Sequence, residues 1–129
     1  MGRRLRDLGL VPELMVASPA VRAATTADLI AEGLGMDAGA IRLDPRLYDA
    51  DLPTLYYIVH GLEDRWSHVA IVAHNPTLHW FAIDLTGTSI DRFRTCTVAH
   101  IDLDAAHWDE VVSGTGTLRH LLWPRDTSG

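Results

Sequence analysis

Five apolar residues in a row, Val69-Ala70-Ile71-Val72-Ala73, run straight into His74-Asn75-Pro76. An apolar run of this length with no polar alternation is the pattern of a strand buried on both faces. Pro76 cannot continue a strand ladder and is suited to open a helix. The apolar spacing after it extends that helix to Leu85, with Gly87 as its stop. A strand covered on both faces requires layers above and below it, which confines the chain to folds with helices on both sides of a parallel sheet.

Other segments repeat this passage from strand to helix. Leu14 to Ala17 is a short apolar run, and Ser18-Pro19 follows with a capping residue and a proline at the expected first helical position. That helix should reach Glu32 and end at Gly33 or Gly35. Ahead of it, Met1 to Leu10 has the spacing of the end of a helix, with Gly9 as a stop. Ile41 to Leu43 is a second short strand, closed by Asp44-Pro45, and Pro53 opens a helix through Leu55, Ile58 and Leu62. Thr97 to Leu103 and Thr117 to Trp123 complete the set of expected strands. Strands alternating with helices predict an α/β three-layer sandwich with a mostly parallel central sheet. Residues 1–125 form one domain, and residues 126–129 are expected to fray.

Composition removes several function classes. The formal net charge is −6, which argues against a broad nucleic-acid surface. All eleven basic residues are arginine, as a GC-rich genome would produce, so at most one or two are expected to serve as dedicated anion ligands. Arg6, Asp7 and Glu13 interrupt the region where a signal peptide would need an apolar core, and no apolar stretch is long enough to span a bilayer. No membrane partner is expected, and the expected location is cytoplasmic. The single Cys96 cannot form an internal disulfide and is expected to be a buried or idle thiol. No Cys, His and carboxylate cluster has metal-ligand spacing, so neither a metal nor another cofactor is expected.

In open parallel sheets ligands bind beyond the carboxyl ends of the strands. Two such ends are chemically loaded: Ser18-Pro19-Ala20-Val21-Arg22 and His74-Asn75-Pro76. Each leads into the first turn of a helix, where free N–H groups attract anions. Arg22 offers a planar fork for phosphate or carboxylate, and a protonated His74 offers a second positive donor. Singly, an arginine in a first turn is usually solvated, and a histidine after a buried strand is usually structural. Together they suggest a phosphate cradle.

The same segments resemble the histidine phosphatase superfamily, the group that includes the phosphoglycerate mutases, and most of all its small bacterial phosphohistidine phosphatases. Ser18-Pro19-Ala20-Val21-Arg22-Ala23-Ala24-Thr25-Thr26-Ala27 is similar to that family's Ser-Pro-x-x-Arg-Ala-x-x-Thr-Ala segment. Val72-Ala73-His74-Asn75-Pro76 resembles its second-histidine segment, and Arg46-Leu47-Tyr48-Asp49-Ala50 its Leu-Tyr-Glu/Asp-Ala segment. Leu85-Thr86-Gly87, Trp108 and Leu118 to Trp123 also fit. The resemblance implies a phosphoglycerate mutase-like fold and hydrolysis of phosphohistidine or a small phosphoester, on a protein or a small molecule. It makes Arg22 and His74 the catalytic phosphate ligands, with Ser18 and Asn75 beside them, and Asp49 or Asp51 candidate acids. Each of these two aspartates is more often a turn residue.

Family members open with a strand ending in Arg-His-Gly, whose histidine takes the phosphoryl group. The sequence contains no such triplet, and Arg3 to Leu8 resembles the back half of the first family helix. The resemblance therefore implies a domain lacking its first strand. Val59-His60-Gly61, the only His-Gly pair, falls on an expected helix and is a poor substitute. Three expectations follow. The chain by itself should not turn over substrate. A non-catalytic remnant that binds phosphate or phosphorylated ligands is the alternative to an enzyme. An open sheet should be prone to self-association.

Overall fold

The computed structural model describes residues 1–93 and 96–124. Its strands are β1 (Leu14–Ala17), β2 (Ile41–Leu43), β3 (Val69–Val72), β4 (Val98–Leu103) and β5 (Gly116–Leu122). Its α-helices are α1 (Gly2–Asp7), α2 (Val21–Leu34), α3 (Leu52–His60) and α4 (Thr77–Thr86). The expected tail, residues 126–129, lies outside the described residues. No helix among the described residues is long and apolar enough to cross a membrane.

The architecture is mixed α/β. β1 is central in a parallel sheet of order β2-β1-β3, with Met15 opposite Ile41 on one side and Ala70 on the other. All four residues of β1 are buried, and alternate ones feed different layers. Leu14 and Val16 pack with Leu55, Ile58 and Val59 of α3 and with Phe81 and Leu85 of α4. Met15 and Ala17 pack with Leu5 of α1 and with Ala27, Ala31 and Leu34 of α2. The two sheet faces therefore carry separate cores, as an apolar strand without alternation requires.

The expected parallel central sheet is present as β2-β1-β3, and the last two strands stand apart from it. β4 and β5 form their own antiparallel pair, with a register shift at His100/Ile101, and β4 is not hydrogen-bonded to β3. Pattern alone shows which segments are strands; it does not show that two of them face each other across a gap.

Local chemistry sets the ends of the helices. α2 begins at Val21 rather than at Pro19, with Ala20 as its capping residue, because the Ser18 side chain turns inward. It ends at Gly35, whose φ of 76° lies in the left-handed region open to glycine. Asp51 caps α3 by accepting from the Thr54 N–H at 2.9 Å and the Thr54 hydroxyl at 2.6 Å. α1 rests on α2 at a point where Gly2 and Gly33 meet. A Cβ on Gly33 would stand 2.9 Å from the Gly2 Cα and from the Arg3 nitrogen.

Candidate anion site at the carboxyl ends of β1 and β3

The chain leaves β1 at Ser18 and β3 at Ala73, and parallel pairing puts both exits at one edge of the sheet. Ser18 is fully buried. Its N–H donates to the Val72 carbonyl at 2.9 Å, which continues the ladder by one residue. Its Oγ accepts from the Ala20 N–H at 3.3 Å and lies 2.9 Å from Nε2 of the half-buried His74. The two loaded segments of the sequence are thus joined by a side-chain contact between residues 56 positions apart.

Arg22 is exposed in the first turn of α2. With His74 and Asn75 it lines the wall of a cleft of about 520 Å³. Asn75 is also exposed, and its Nδ2 donates to the Phe93 carbonyl at 2.8 Å, so its amide ties down the loop beyond α4. The Asn75–Pro76 peptide is cis. Arg22, His74, Ser18 and Asn75 therefore gather at one sheet edge, with Ser18 behind His74 rather than on the open surface.

Tyr48 belongs to the same edge, a contact that no sequence pattern revealed. Its ring meets His74 edge-on at 6.3 Å between centroids. The turn that carries it is fixed by Asp44, which takes 3.0 Å hydrogen bonds from both the Arg46 N–H and Nε and pairs with the guanidinium at 2.6 Å. That guanidinium holds the Asp44 carboxyl below the usual carboxylate range. Asp49 and Asp51 follow on the exposed run into α3, and neither lines the cleft. The Thr54 hydrogen bonds lower the Asp51 carboxyl, which favours the ionised form of a helix cap over a proton donor.

The remaining histidines have other partners. His60 Nε2 meets the Val111 carbonyl at 2.6 Å, and His79 Nε2 meets the Ile90 carbonyl at 2.5 Å. His107 pairs with Asp64 at 3.0 Å, and the Asp64 hydrogen bond raises its pKa. His100 and His120 stack across the β4–β5 ladder with Nδ1 atoms 3.0 Å apart, and His68 lies beside them at 6.1 Å between rings. Burial, ahead of its charged neighbours, lowers the pKa of His100. This cluster spans separate elements and was not legible in the sequence. It sits at the opposite end of the cleft from His74. No group of three metal-ligating side chains is assembled among the described residues. Cys96 is exposed, in a turn with φ of 62°, so of the expected buried or idle thiol the buried alternative is excluded.

No protein-family model and no curated protein matches this chain. Solved structures do. The candidate phosphohistidine phosphatase SixA of Nakamurella multipartitia superposes with a TM-score of 0.81 at 20% identity, over 95% of this chain and 77% of that one. The protein histidine phosphatase SixA solved with tungstate gives 0.76 at 20% identity, over 94% and 74%. The corresponding SixA candidate of Agrobacterium tumefaciens gives 0.73 at 21% identity, over 96% and 78%. The chain has the fold of these SixA proteins.

Proposed function

We propose that the edge carrying Ser18, Arg22, His74 and Asn75 is a phosphoryl-binding site of the histidine phosphatase type. Its ligands would be phosphohistidine, on a protein, or a small phosphoester. The observation that carries this reading is the Ser18–His74 contact, which binds the two strand exits into one site with Arg22 on the same cleft wall. The fold supports it, since one of the similar structures was solved with tungstate, a tetrahedral oxyanion like phosphate.

The chemistry follows from the hydrogen-bond chain. The Ala20 N–H donates to Ser18 Oγ, which lies within hydrogen-bond reach of His74 Nε2 at 2.9 Å. This contact holds the ring by Nε2, so that Nδ1 can donate to a phosphoryl oxygen. Arg22 supplies a two-pronged charged donor to the other oxygens. Together they neutralise charge on a bound phosphate and on a phosphoryl group in transfer.

Transfer also needs an in-line nucleophile. Histidines 60, 68, 79, 100, 107 and 120 stand with other partners, and the sequence has no Arg-His-Gly. This observation favours a second reading for residues 1–129 by themselves: phosphate is bound and not turned over. Hydrolysis then depends on a nucleophilic segment from elsewhere.

Calorimetry with inorganic phosphate tests the site. Removing one charge-assisted contact costs on the order of 2 kcal/mol, so Arg22→Ala should weaken binding about thirtyfold. Equal affinity in the wild type and in Arg22→Ala refutes the assignment. A purified chain that hydrolyses p-nitrophenyl phosphate well above background, and loses this in His60→Ala, refutes binding without turnover.

A further inference from the structure

The antiparallel pair β4–β5 carries a histidine from each strand at one point of its ladder. His100 stands opposite His120, and the next pairing is Ile101 with Leu118, so Arg119 is an extra, bulged residue of β5. Side chains of directly opposed residues leave a sheet on the same face. The two imidazoles accordingly meet, with Nδ1 atoms 3.0 Å apart, ring centroids 5.3 Å apart and ring planes 13° from parallel. His120 is exposed and the His100 side chain keeps 21% of its surface open, so solvent reaches the pair.

The neighbouring charges orient these nitrogens. Asp102, two residues along β4 and so on the same face, puts Oδ1 3.6 Å from Nε2 of His100. Arg119 donates from Nε to Asp102 Oδ2 at 2.7 Å, which holds the carboxylate beside the ring and offsets its charge. An imidazole that ligates a metal carries its hydrogen on the other ring nitrogen, usually directed at a carboxylate or a carbonyl. His100 has that arrangement, with Nε2 toward a fixed carboxylate and Nδ1 toward a second imidazole. A hydrogen bond between the rings accounts for the 3.0 Å contact by itself. The carboxylate anchored behind His100 is what a metal ligand has in addition.

We infer that His100 and His120 chelate one divalent transition-metal ion through their Nδ1 atoms, with water in its remaining positions. Across a span of 3.0 Å, metal–nitrogen bonds of about 2.0–2.1 Å close a nitrogen–metal–nitrogen angle of about 95°. That is the angle between neighbouring positions of a square-planar or octahedral ion, as Cu²⁺ and Ni²⁺ prefer. A tetrahedral Zn²⁺ requires the two nitrogens to stand about 3.3 Å apart. Each lone pair swings off the line between the nitrogens to meet the ion, and the exposed His120 ring has room for that turn. The strand pairing already fixes the spacing of the ligands, so binding has little ordering to impose. No third ligand joins them among the described residues, so the ion is held by two side chains and stays exchangeable. Bound there, it cross-links β4 and β5 beside the bulge.

The test titrates Cu²⁺, by calorimetry, into the untagged chain of residues 1–129 after chelator treatment, in phosphate-free buffer at neutral pH. One ion per chain should bind. His120→Ala, a change at an exposed position, should weaken binding about tenfold or more, because the second ligand no longer acts within the same molecule. His107→Ala removes an exposed imidazole paired with Asp64 and should bind as the wild type does. The electron paramagnetic resonance spectrum of the bound Cu²⁺ should show two coupled imidazole nitrogens in the wild type and one in His120→Ala. Ni²⁺ should bind more tightly than Zn²⁺. Absence of saturable binding, equal affinity or the same spectrum in the wild type and His120→Ala, or an equal loss in His107→Ala would overturn the inference. Tighter binding of Zn²⁺ than of Ni²⁺ would overturn the right-angled geometry on which it rests.

Discussion

Ser18→Ala is the substitution that most directly tests whether the fold builds the anion site. Ser18 is fully buried, and its Oγ is shared between the Ala20 N–H at 3.3 Å and His74 Nε2 at 2.9 Å. Each hydrogen bond contributes a net of about 1 kcal/mol, and a stranded donor costs somewhat more. The variant should therefore lose about 2 kcal/mol of stability. For a small domain with a urea m-value of about 2 kcal/mol/M, the midpoint moves down by about 1 M. Tryptophan fluorescence in a urea series measures this. The imidazole also loses the partner that holds its ring in place, so phosphate affinity should fall by about tenfold, equivalent to 1.4 kcal/mol. A double-mutant cycle isolates the contact. In a His74→Ala background, Ser18→Ala should cost about 1 kcal/mol less than in the wild type. Additive losses, or an unchanged midpoint, would refute the coupling of the two strand exits.

Gly33→Ala should destabilise by about 1–3 kcal/mol through overpacking against Gly2 and the Arg3 nitrogen. Gly39→Ala, whose new Cβ meets nothing within 4 Å, should change the midpoint little, and equal effects would refute the α1–α2 contact. His100 carries a pKa lowered chiefly by burial, so the folded state resists its protonation. Its contribution is fully present above the unfolded histidine pKa of about 6.5 and is lost as pH falls toward the lower folded value. His107 has a raised pKa and runs the other way, with stability present below about pH 6.5 and lost as pH rises through its folded value. Comparing His100→Gln with the wild type cancels that exposed pair. The variant should lose less stability on acidification, and parallel pH profiles from pH 7.5 to pH 5 would count against the effect.

Much of the local structure was determined by the sequence alone. The unbroken run at Val69–Ala73 marks a strand with apolar side chains on both faces, and β3 forms there with its residues partly buried. The Leu14–Ala17 run goes further, being fully buried with both of its faces in core. Glycines at 35 and 87 ended helices because their φ angles are open to glycine at little cost. The residues proposed for the anion site were also legible as candidates, since strand exits into helix starts collect anion-binding groups whatever the rest of the fold.

Tertiary structure alone decided how those pieces combine. Whether Ser18 caps a helix or turns inward to His74 depends on a neighbour 56 residues away, and here the buried partner won. Asp51 became a helix cap rather than an acid facing the cleft because its reach is set by the turn into α3. The histidine cluster at 68, 100 and 120 exists only through the β4–β5 register and the approach of the residue before β3. The division into two sheets lies furthest from the sequence. A strand's side-chain pattern reports which faces are buried, whereas its edges are satisfied by backbone groups that every residue carries alike. Periodicity could therefore identify β3 and β4 as strands, and only the assembled chain could show that each keeps one edge turned toward the other across an open cleft.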